Sequence, residues 1–277
     1  MRRTLERSLA VGSALGRTVL RHEAQIAFTL FGAFLCACTV LWVDARYDDA
    51  IIQDVVRISK VQHLHGFAKA KRLMSIVYGL MEPRHHFFHT PEVDPTGHWF
   101  ATPSKALLTG RSGCGDFVAV FTRVMQLAGE RAKPMQMKCP PDITCHVLTE
   151  VKIDGKWIVM DPLYNFAPTD PRGAPLGAAE THKDWARISL QTPKFYIKAY
   201  NYERVEGTNW SKYGAASRAV RGLLVRLGID GVDDFSIREY VLNLYRVYLI
   251  IALSVGLPLF GLWFLRLYRR RKIGAAA

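Results

Sequence analysis

The sequence predicts an α+β domain carried between two membrane-spanning helices. Two uncharged apolar stretches, one near each end of the chain, indicate the spans. Between them, helical periodicity in the first half gives way to strand patterns in the second half, which is typical of an α+β domain. The length of 277 residues allows one or two domains.

The two apolar stretches run from Ile26 to Val43 and from Val247 to Leu265, and neither contains a charged residue. Each is close to the ~20 residues that cross a hydrocarbon core of ~30 Å. Aromatic residues near the ends of the second stretch suit the membrane interface. Two buried core helices are the alternative, but such helices usually show a polar face. We therefore predict transmembrane helices at residues 26–43 and 245–267.

Basic residues beside both spans set the predicted orientation. Residues 1–25 hold five arginines against two glutamates, and residues 266–277 hold four arginines and a lysine. Because cytoplasmic flanks are enriched in Lys and Arg, the tails 1–25 and 268–277 are predicted to be cytoplasmic and residues 44–244 to lie outside. Of the formal charge of +13, only +5 falls between the tails. Most of the basic charge therefore indicates the membrane topology of the chain. We expect a lipid bilayer as partner and no nucleic acid.

In a bacterium, this topology places the chain in the inner membrane as a two-pass protein, with its domain in the oxidising periplasm. The first span has a second interpretation. Leu35-Cys36-Ala37-Cys38 resembles a lipoprotein cleavage box with Cys38 as the lipidated residue. However, the apolar stretch continues to Val43, and cysteine is unusual at the second position of such a box. We favour an uncleaved span, with lipidation or signal cleavage as the alternatives.

Helical periodicity recurs in the outer region. It predicts helices over residues 48–60, 67–81, 116–128 and 213–227. Pro83 is expected to end the second helix, and Gly129 follows the third as a C′ residue. Ser236 to Glu239 form a capping box, which predicts a helix that continues without interruption into the second span. Residues 84–103 and 162–209 are predicted to be rich in loops.

The stretch "GRSGCGDF", Gly110 to Phe117, places one cysteine between two glycines at the start of a predicted helix. A helix N-terminus carries the positive end of the helix dipole, which favours the thiolate of Cys114. Gly113 and Gly115 have no side chain that would keep a substrate backbone away from the sulfur. The pattern is typical of a nucleophilic cysteine.

The stretch "HVLTEVKIDGKWIVMDP" predicts a β-hairpin turned at Asp154-Gly155. In a two-residue turn, Ile153 pairs with Lys156, and the same register places Leu148 opposite Asp161. His146 then lies diagonally to Asp161 on one face of the hairpin, at about 7–8 Å between backbones and within reach of the side chains. The hairpin alone therefore directs an imidazole and a carboxylate to one place.

Cys114, His146 and Asp161 together form a set suited to acyl transfer. The imidazole can take the thiol proton and return it to a leaving amine, while the carboxylate orients the imidazole and stabilises its cation. The alternative is a buried cysteine, a core histidine and a strand-end aspartate that are unrelated. The Gly-Cys-Gly helix start and the diagonal His/Asp placement favour the catalytic interpretation.

The stretches "GCGDFVAVFTRVMQLAGERAK" and "HVLTEVKIDGKWIVMDPLYN" resemble the core of the transglutaminase-like superfamily of papain-type folds, over roughly residues 69–185. The resemblance implies a cysteine-bearing helix packed on an antiparallel sheet, with Cys114 as nucleophile, His146 as base and Asp161 as orienting acid. Bacterial membrane-anchored cysteine peptidases of this kind, peptide N-glycanases and arylamine N-acetyltransferases share that triad, so the resemblance leaves the reaction open.

The family commonly has tryptophan at the position of Leu148. This residue is expected to support the substrate cleft, so the difference concerns the cleft and leaves the triad intact. The backbone N–H of Cys114 is a natural oxyanion donor, and Trp99 is a candidate side-chain donor.

Cys139 and Cys145 are predicted to form a disulfide, with two unlinked thiols as the alternative. His85, His86, His89 and His98 lack a cysteine or a well-spaced carboxylate, so we expect a polar loop and no metal or cofactor.

The predicted function is that of a membrane-anchored thiol hydrolase or acyltransferase. It would act through a thioester on amide bonds of envelope proteins, peptides or glycoconjugates. The alternative is a non-catalytic transglutaminase-like module that scaffolds an envelope protein complex. The presence of Cys114, His146 and Asp161 together favours the enzyme.

Overall fold

The computed structural model describes most of the chain, with gaps in several loops and at the extreme termini. The described residues are 2–87, 102–109, 113–140, 143–197, 199–208, 210, 214–227 and 235–276. For residues 2–21, 85–87, 215–216 and 274–276 only the backbone is described. These residues form helices and one antiparallel sheet, which confirms the predicted α+β class.

The elements follow one another in an order that separates helices from strands. They are α1 (Arg2–Ile58), α2 (Gly66–Phe87), α3 (Pro103–Thr109), α4 (Cys114–Leu127), β1 (Ala132–Cys139), β2 (Ile143–Ile153), β3 (Lys156–Met160), α5 (Ala178–Lys183), α6 (Trp185–Ile188), β4 (Val205–Glu206), α7 (Gly214–Arg226), α8 (Ile237–Tyr240) and α9 (Leu244–Ala276).

Two of these helices are long and apolar enough to cross a membrane. The qualifying portions are His22–Ile58 of α1 and Leu244–Ile273 of α9. The helix predicted over residues 48–60 is the end of α1 rather than a separate element. No helix-breaking residue interrupts this part of the sequence, so the helical hydrogen bonds continue from one segment into the next.

The chain divides into two compact units, one formed by Met1–Ala45 with Tyr245–Ala277 and the other by Arg46–Leu244. In the first unit, α1 and α9 contact each other through aromatic rings. The Phe31 ring lies 5.2 Å from that of Phe260 and 5.5 Å from that of Phe264. A Cβ atom at Gly256 would collide with the Phe34 ring, so glycine permits this close approach.

In the second unit, α2 extends beyond its predicted end. Pro83 lies inside the helix, which continues to Phe87. Proline removes one backbone donor, but only the last turn of α2 follows it. The Arg84 guanidinium donates to the Leu80 carbonyl in that turn. The prediction that Pro83 ends the helix was therefore wrong.

The sheet has the strand order β3-β2-β1-β4, and all its pairings are antiparallel. The predicted hairpin is confirmed, because Ile153 pairs with Lys156. Both turn residues have positive φ, 49° at Asp154 and 83° at Gly155, as a type I′ turn requires. The β2–β3 pairing ends at Thr149 with Met160, one residue before Asp161.

The two faces of the sheet bury different clusters. Val151, Ile153, Ile158 and Met160 point to the face that packs with buried residues of α2 and α4. Met135, Met137, Leu148 and Val159 point to the other face. That second face packs with side chains that follow β3, among them Phe166, Ile188, Tyr196, Tyr200 and Tyr202.

The helix predicted to run from Ser236 into the second span is instead broken. α8 ends at Tyr240, and α9 begins only at Leu244. Ser236 does not cap α8 with its side chain, because its hydroxyl donates to the Pro134 carbonyl at 2.6 Å. The Ile237 N–H instead donates to the hydroxyl oxygen of Thr208 at 3.1 Å. A cap from a distant segment thus replaces the local capping box.

Candidate active site

Cys114 lies at the N-terminus of α4, as predicted, and is its first residue, so the helix begins two residues before the predicted start at Asp116. Its neighbour Gly113 is the N-cap, with φ 59° and ψ −130°, a backbone conformation that only glycine adopts without strain. Behind the cysteine, Phe117, Val120 and Phe121 are buried and anchor the helix on the sheet. The thiol therefore has a fixed position at a helix N-terminus, where the dipole favours its anion.

His146 lies on β2 opposite Met137 of β1, next to an irregularity in the β1–β2 pairing. Its ring is 1% exposed. The Tyr200 ring stacks on one face of the imidazole, with 4.4 Å between ring centroids and 8° between planes. The Tyr200 hydroxyl donates to the Cys145 carbonyl at 3.2 Å. Tyr200 thus contacts both the His146 ring and the backbone of the preceding residue, Cys145.

Asp161 follows the last residue of β3 and is completely buried. Its backbone is held by two hydrogen bonds with Phe166, from Asp161 N–H at 2.7 Å and to Asp161 C=O at 3.0 Å. Its Oδ2 atom lies 2.7 Å from His146 Nε2. The structure thus brings together the two side chains that the hairpin register directs to one place.

The imidazole contacts the thiol as well as the carboxylate. The Cys114 thiol lies close enough to His146 for hydrogen bonding with its side chain to lower the pKa of the thiol, and the Val147 backbone acts in the same direction. Because Nε2 is used by Asp161, Nδ1 is the ring nitrogen left for the sulfur. The three predicted residues therefore form one connected chain from sulfur to imidazole to carboxylate.

The electrostatics of this chain favour an ion pair between sulfur and imidazole. Burial opposes the charge on Cys114, but the hydrogen bond and positive charge of His146 outweigh it, and the pKa of the thiol is lowered. Burial also opposes the imidazolium, yet the charge and hydrogen bond of Asp161, with those of Cys114, raise the pKa of His146 to about 10. Around neutral pH the pair therefore tends toward thiolate and imidazolium.

Four tyrosines surround His146 and Asp161, and none of them was predicted from the sequence. The Tyr196 hydroxyl donates to Asp161 Oδ2 at 3.1 Å, and the Tyr202 hydroxyl lies 2.7 Å from that of Tyr196. The Tyr164 ring lies 5.7 Å from the His146 ring, and Tyr200 stacks on it. The one available signal was three tyrosines within seven residues in a segment predicted to be loop-rich, at 196, 200 and 202.

The other predicted site residues have different positions. Among the described residues, a Cβ atom at Gly115 would meet Arg238 Nη2 at 3.8 Å and no other atom within 4 Å, so the described packing leaves room for a side chain there. Leu148 is fully buried in the second core cluster and supports the site from beneath rather than lining a cleft. Trp99, the candidate oxyanion donor, lies outside the described residues.

Cys139 and Cys145 form a disulfide in the structure, with 5.7 Å between Cα atoms. It joins β1 to the residue before His146. Cys36, Cys38 and Cys114 are the free cysteines.

The side chains of His85 and His86, and all of His89 and His98, lie outside the described part of the chain. Within that part, no three His, Cys, Asp or Glu side chains are grouped to hold a metal ion.

A groove of about 470 Å³ occupies the far end of the same sheet face and includes none of the three site residues. The ion pair of Lys133 with Glu150, at 3.2 Å, lies in its wall. Trp157 also lines it, with Lys133 Nζ 4.5 Å from the ring centroid. These groups are already paired with one another, so the candidate active site is defined by Cys114, His146 and Asp161 and not by this groove.

Comparison with known proteins supports the family resemblance. Residues 59–162 match the family model described as the transglutaminase-like superfamily, and no curated protein matches the chain. A solved structure titled "Crystal structure of a TGase" is 16% identical, with a TM-score of 0.32 over 42% of this chain and 32% of that chain. The chain thus spans about a third of that protein, a likeness too slight to carry an argument. The match of residues 59–162, which include Cys114, His146 and Asp161, identifies this region as a domain of the transglutaminase-like superfamily.

Proposed function

We propose that the chain is a membrane-anchored thiol hydrolase or acyltransferase that cleaves amide bonds through a thioester on Cys114. The observation that carries the proposal is the buried His146–Asp161 pair, with 2.7 Å between Nε2 and Oδ2, next to the partly buried Cys114 thiol. The superfamily includes cysteine hydrolases and acyltransferases as well as non-catalytic members. A scaffold has no evident need for a buried histidine–carboxylate pair beside a thiol of lowered pKa.

The first half of the reaction forms the thioester. The Cys114 thiolate attacks the carbonyl carbon of an amide, and the carbonyl oxygen becomes an oxyanion. The N–H of Cys114 precedes the helical hydrogen-bond ladder of α4 and is a natural donor to that oxygen. As the C–N bond breaks, the His146 imidazolium gives its proton to the leaving amine, which departs neutral. Asp161 accepts the hydrogen bond from His146 and holds the ring in position.

The second half releases the acyl group. The neutral His146 removes a proton from water or from an acceptor amine, and the resulting nucleophile attacks the thioester carbon. The C–S bond breaks, the thiolate re-forms, and the proton remains on the imidazole. Water gives a carboxylic acid and an amine gives a new amide, so hydrolase and transferase chemistry differ only in the second nucleophile. The proposed substrates are proteins, peptides or glycoconjugates of a bacterial envelope.

The first experiment measures the rate at which iodoacetamide alkylates Cys114 in the full chain, quantified by mass spectrometry on the peptide that contains it. Because alkylation follows the thiolate fraction, we expect about 10-fold or faster labelling at pH 7 than in the unfolded chain. His146→Ala should slow it, because the charge and hydrogen bond that lower the pKa of Cys114 are lost. Labelling no faster than in the unfolded chain, and unchanged in His146→Ala, would favour the non-catalytic scaffold.

A second experiment tests the thioester itself. Incubation with envelope peptides, followed by acid quench, should leave an acyl mass adduct on Cys114 that hydroxylamine removes. Cys114→Ser is the matched control, because its hydroxyl has the same position without a thiolate. An adduct that survives hydroxylamine, or one that forms equally in the serine variant, would contradict thioester catalysis.

We further propose that α1 and α9 cross the inner membrane of a bacterium and that the domain lies in the periplasm. The support is the apolar length of both helices and the arginine-rich flanks outside them. A reporter fused after Ala277 should behave as cytoplasmic. A reporter inserted at Gly173, in the exposed turn between Asp170 and Ala174, should behave as exported. Both reporters on the same side would contradict the two-pass topology, and an N-terminus processed at Cys38 would favour the lipoprotein interpretation.

A further inference from the structure

The buried carboxylate of Asp161 has an uneven set of partners. Its Oδ2 atom accepts hydrogen bonds from His146 Nε2 at 2.7 Å and from the Tyr196 hydroxyl at 3.1 Å. Its Oδ1 atom, also buried, has no hydrogen-bond partner among the described residues. The orientation of the carboxylate therefore depends on what is bonded to Oδ2, since the terminal torsion of an aspartate is otherwise broad.

The direction of the hydrogen bonds around Oδ2 follows from donor counting. A carboxylate can only accept, so Tyr196 must donate its one hydroxyl proton to Asp161. The Tyr196 oxygen lies 2.7 Å from the Tyr202 hydroxyl. Because the Tyr196 proton is already committed, Tyr202 must be the donor in that pair. The result is a directed relay from Tyr202 to Tyr196 to Asp161, which ends on the oxygen that also holds His146.

Both hydroxyls hold their protons more strongly than an ordinary tyrosine. Burial, with the neighbouring Tyr202 and Asp161, raises the pKa of Tyr196. Burial and the charge of Asp161 raise the pKa of Tyr202 well above its ordinary value and outweigh the hydrogen bond with Tyr196, which lowers it. Both hydroxyls therefore keep their protons over the range in which the thiolate and imidazolium coexist.

The backbone of Tyr202 is unusual. Its φ is 59°, in the left-handed region that bulky residues rarely adopt and that stores strain. Its side chain is nevertheless 1% exposed and among the largest fully buried in the described structure. Its ring packs 5.5 Å from that of Trp185. The fold thus maintains a strained backbone at the position whose hydroxyl begins the relay.

We propose that Tyr196 and Tyr202 are positioning residues whose hydroxyl relay holds Asp161 Oδ2 against His146 Nε2 and so keeps the imidazolium ready to protonate a leaving amine. The inference rests on the proposed function of Cys114, His146 and Asp161. Without the Tyr196 hydroxyl, His146 is the one described side chain that still forms a hydrogen bond with the carboxylate, so the orientation of the carboxylate is less constrained. His146 then loses part of the charge and the hydrogen bond that stabilise its cation.

Among the described residues, the side chains of Asp161 and Cys114 and the rings of Tyr164 and Tyr200 face His146. Asp161 comes from the end of β3 and Cys114 from the start of α4, and both favour the imidazolium. The rings of Tyr164 and Tyr200 contact the imidazole from the segments that follow β3 and α6. The hydroxyls of Tyr196 and Tyr202 connect to His146 through Asp161. The Tyr196 ring also contacts Tyr164 and Tyr200, and a phenylalanine at position 196 keeps those ring contacts. A change in the titration of His146 upon removal of the Tyr196 or Tyr202 hydroxyl therefore reports on the carboxylate.

The test compares two alkylating reagents on Cys114 in the full chain. Iodoacetate is an anion and is attracted by the imidazolium, whereas iodoacetamide is neutral, and both need the thiolate. The ratio of their rates therefore cancels the thiolate fraction and follows the charge of His146 as pH rises. For the unmodified chain we expect the ratio to fall with a midpoint at about pH 10, the value to which the pKa of His146 is raised.

In Tyr196→Phe the midpoint should move down by about one pH unit, because a hydrogen bond to a charged group changes an equilibrium by about tenfold. Tyr202→Phe should move it in the same direction by less, because it only weakens the Tyr196 donor. Both variants keep the aromatic ring, and thermal unfolding checks that they fold. Tyr240→Phe, at a ring that is 66% exposed, is the matched control and should leave the midpoint in place.

The outcomes separate this inference from the proposed function. If Cys114 in the unmodified chain labels no faster than in the unfolded chain, the proposed function fails and the relay with it. If it labels fast but folded Tyr196→Phe and Tyr202→Phe give the midpoint of the unmodified chain, only the relay is wrong. A lower melting temperature with an unchanged midpoint is the signature of a purely structural role and overturns the inference as well.

Discussion

One face of the sheet packs against α2 and α4 mainly through aliphatic side chains, whereas the other is covered by aromatic side chains from the segment that follows β3. On the first face, the largest buried residues, such as Phe121 and Met125, have no polar group to satisfy. On the second face, the hydroxyls of Tyr196 and Tyr202 lead to a buried carboxylate. The first face supplies hydrophobic burial, and the second supplies a polar environment for a charged pair.

The difference shows how one small sheet carries both stability and chemistry. Apolar burial is non-directional and contributes free energy roughly in proportion to area. A buried ionic pair is expensive unless hydrogen bonds satisfy it, and hydrogen bonds are directional. Separating the two kinds of core by the sheet allows α4 to hold Cys114 rigidly while the opposite face positions His146 and Asp161.

The largest expected effect belongs to Asp161→Asn, which should reduce acyl transfer by roughly 10³-fold or more while leaving the fold in place. The amide keeps the shape of the carboxylate but cannot stabilise the imidazolium, so His146 should lose its proton at lower pH than in the unmodified chain. The iodoacetate-to-iodoacetamide ratio and the rate of thioester formation measure this. Asp54→Asn, at a mostly exposed carboxylate paired with Arg57, is the control. Equal activity in Asp161→Asn would show that the polar face carries no chemistry.

The second effect concerns the face of the sheet that packs against α2 and α4. Phe121→Ala should lower the free energy of unfolding by about 3–5 kcal/mol, because it leaves a cavity in a core where Phe121 is 0% exposed. Chemical denaturation in detergent measures the change. The same truncation at Phe195, which is 66% exposed, should cost far less. The folded fraction of Phe121→Ala should keep the Cys114 labelling profile, and a shifted profile would contradict the separation of the two faces.

The third effect concerns the disulfide beside His146. Replacing both Cys139 and Cys145 by serine should destabilise the domain by about 2 kcal/mol, the loss expected for a closed loop of this length. Because Cys145 precedes His146 and its carbonyl accepts from Tyr200, Cys114 labelling should also slow. Cys36→Ser, which removes an unlinked cysteine, is the control for each measurement. A double variant with unchanged stability and labelling would separate the disulfide from the site.

The smallest effect tests a polar contact in the core between α4 and the sheet, where the hydroxyls of Thr122 and Thr149 lie 3.2 Å apart. Thr122→Val alone should cost about 1 kcal/mol, since it leaves the buried Thr149 hydroxyl without this partner. Replacing both threonines by valine should recover most of that loss, because no polar group then remains unpaired. Denaturation of the single and double variants decides it. A double variant as unstable as the sum of the two singles would contradict the pairing.

The features predicted correctly from the sequence depend on short-range patterns. The turn at Asp154-Gly155 fixes the β2–β3 register, because both turn residues must adopt positive φ. Alternation along the strands then carries that register to His146. The start of α4 at Cys114 follows from Gly113, whose backbone conformation is not helical, and from the apolar residues spaced along the helix. Each inference spans only a few residues, so tertiary context had little opportunity to change it.

The features that the sequence did not predict depend on contacts between distant segments. Ser236 fits a local capping box, yet its hydroxyl bonds Pro134, 102 residues away. Tyr196, Tyr200 and Tyr202 lie where no periodicity indicates burial, and their roles exist only because the chain folds back over the sheet face that holds His146 and Asp161. By itself, the sequence determined which residues could form a nucleophile, a base and an acid. Only the tertiary structure decided which hydroxyls surround them, because a hydrogen bond depends on distance in space and not on separation along the chain.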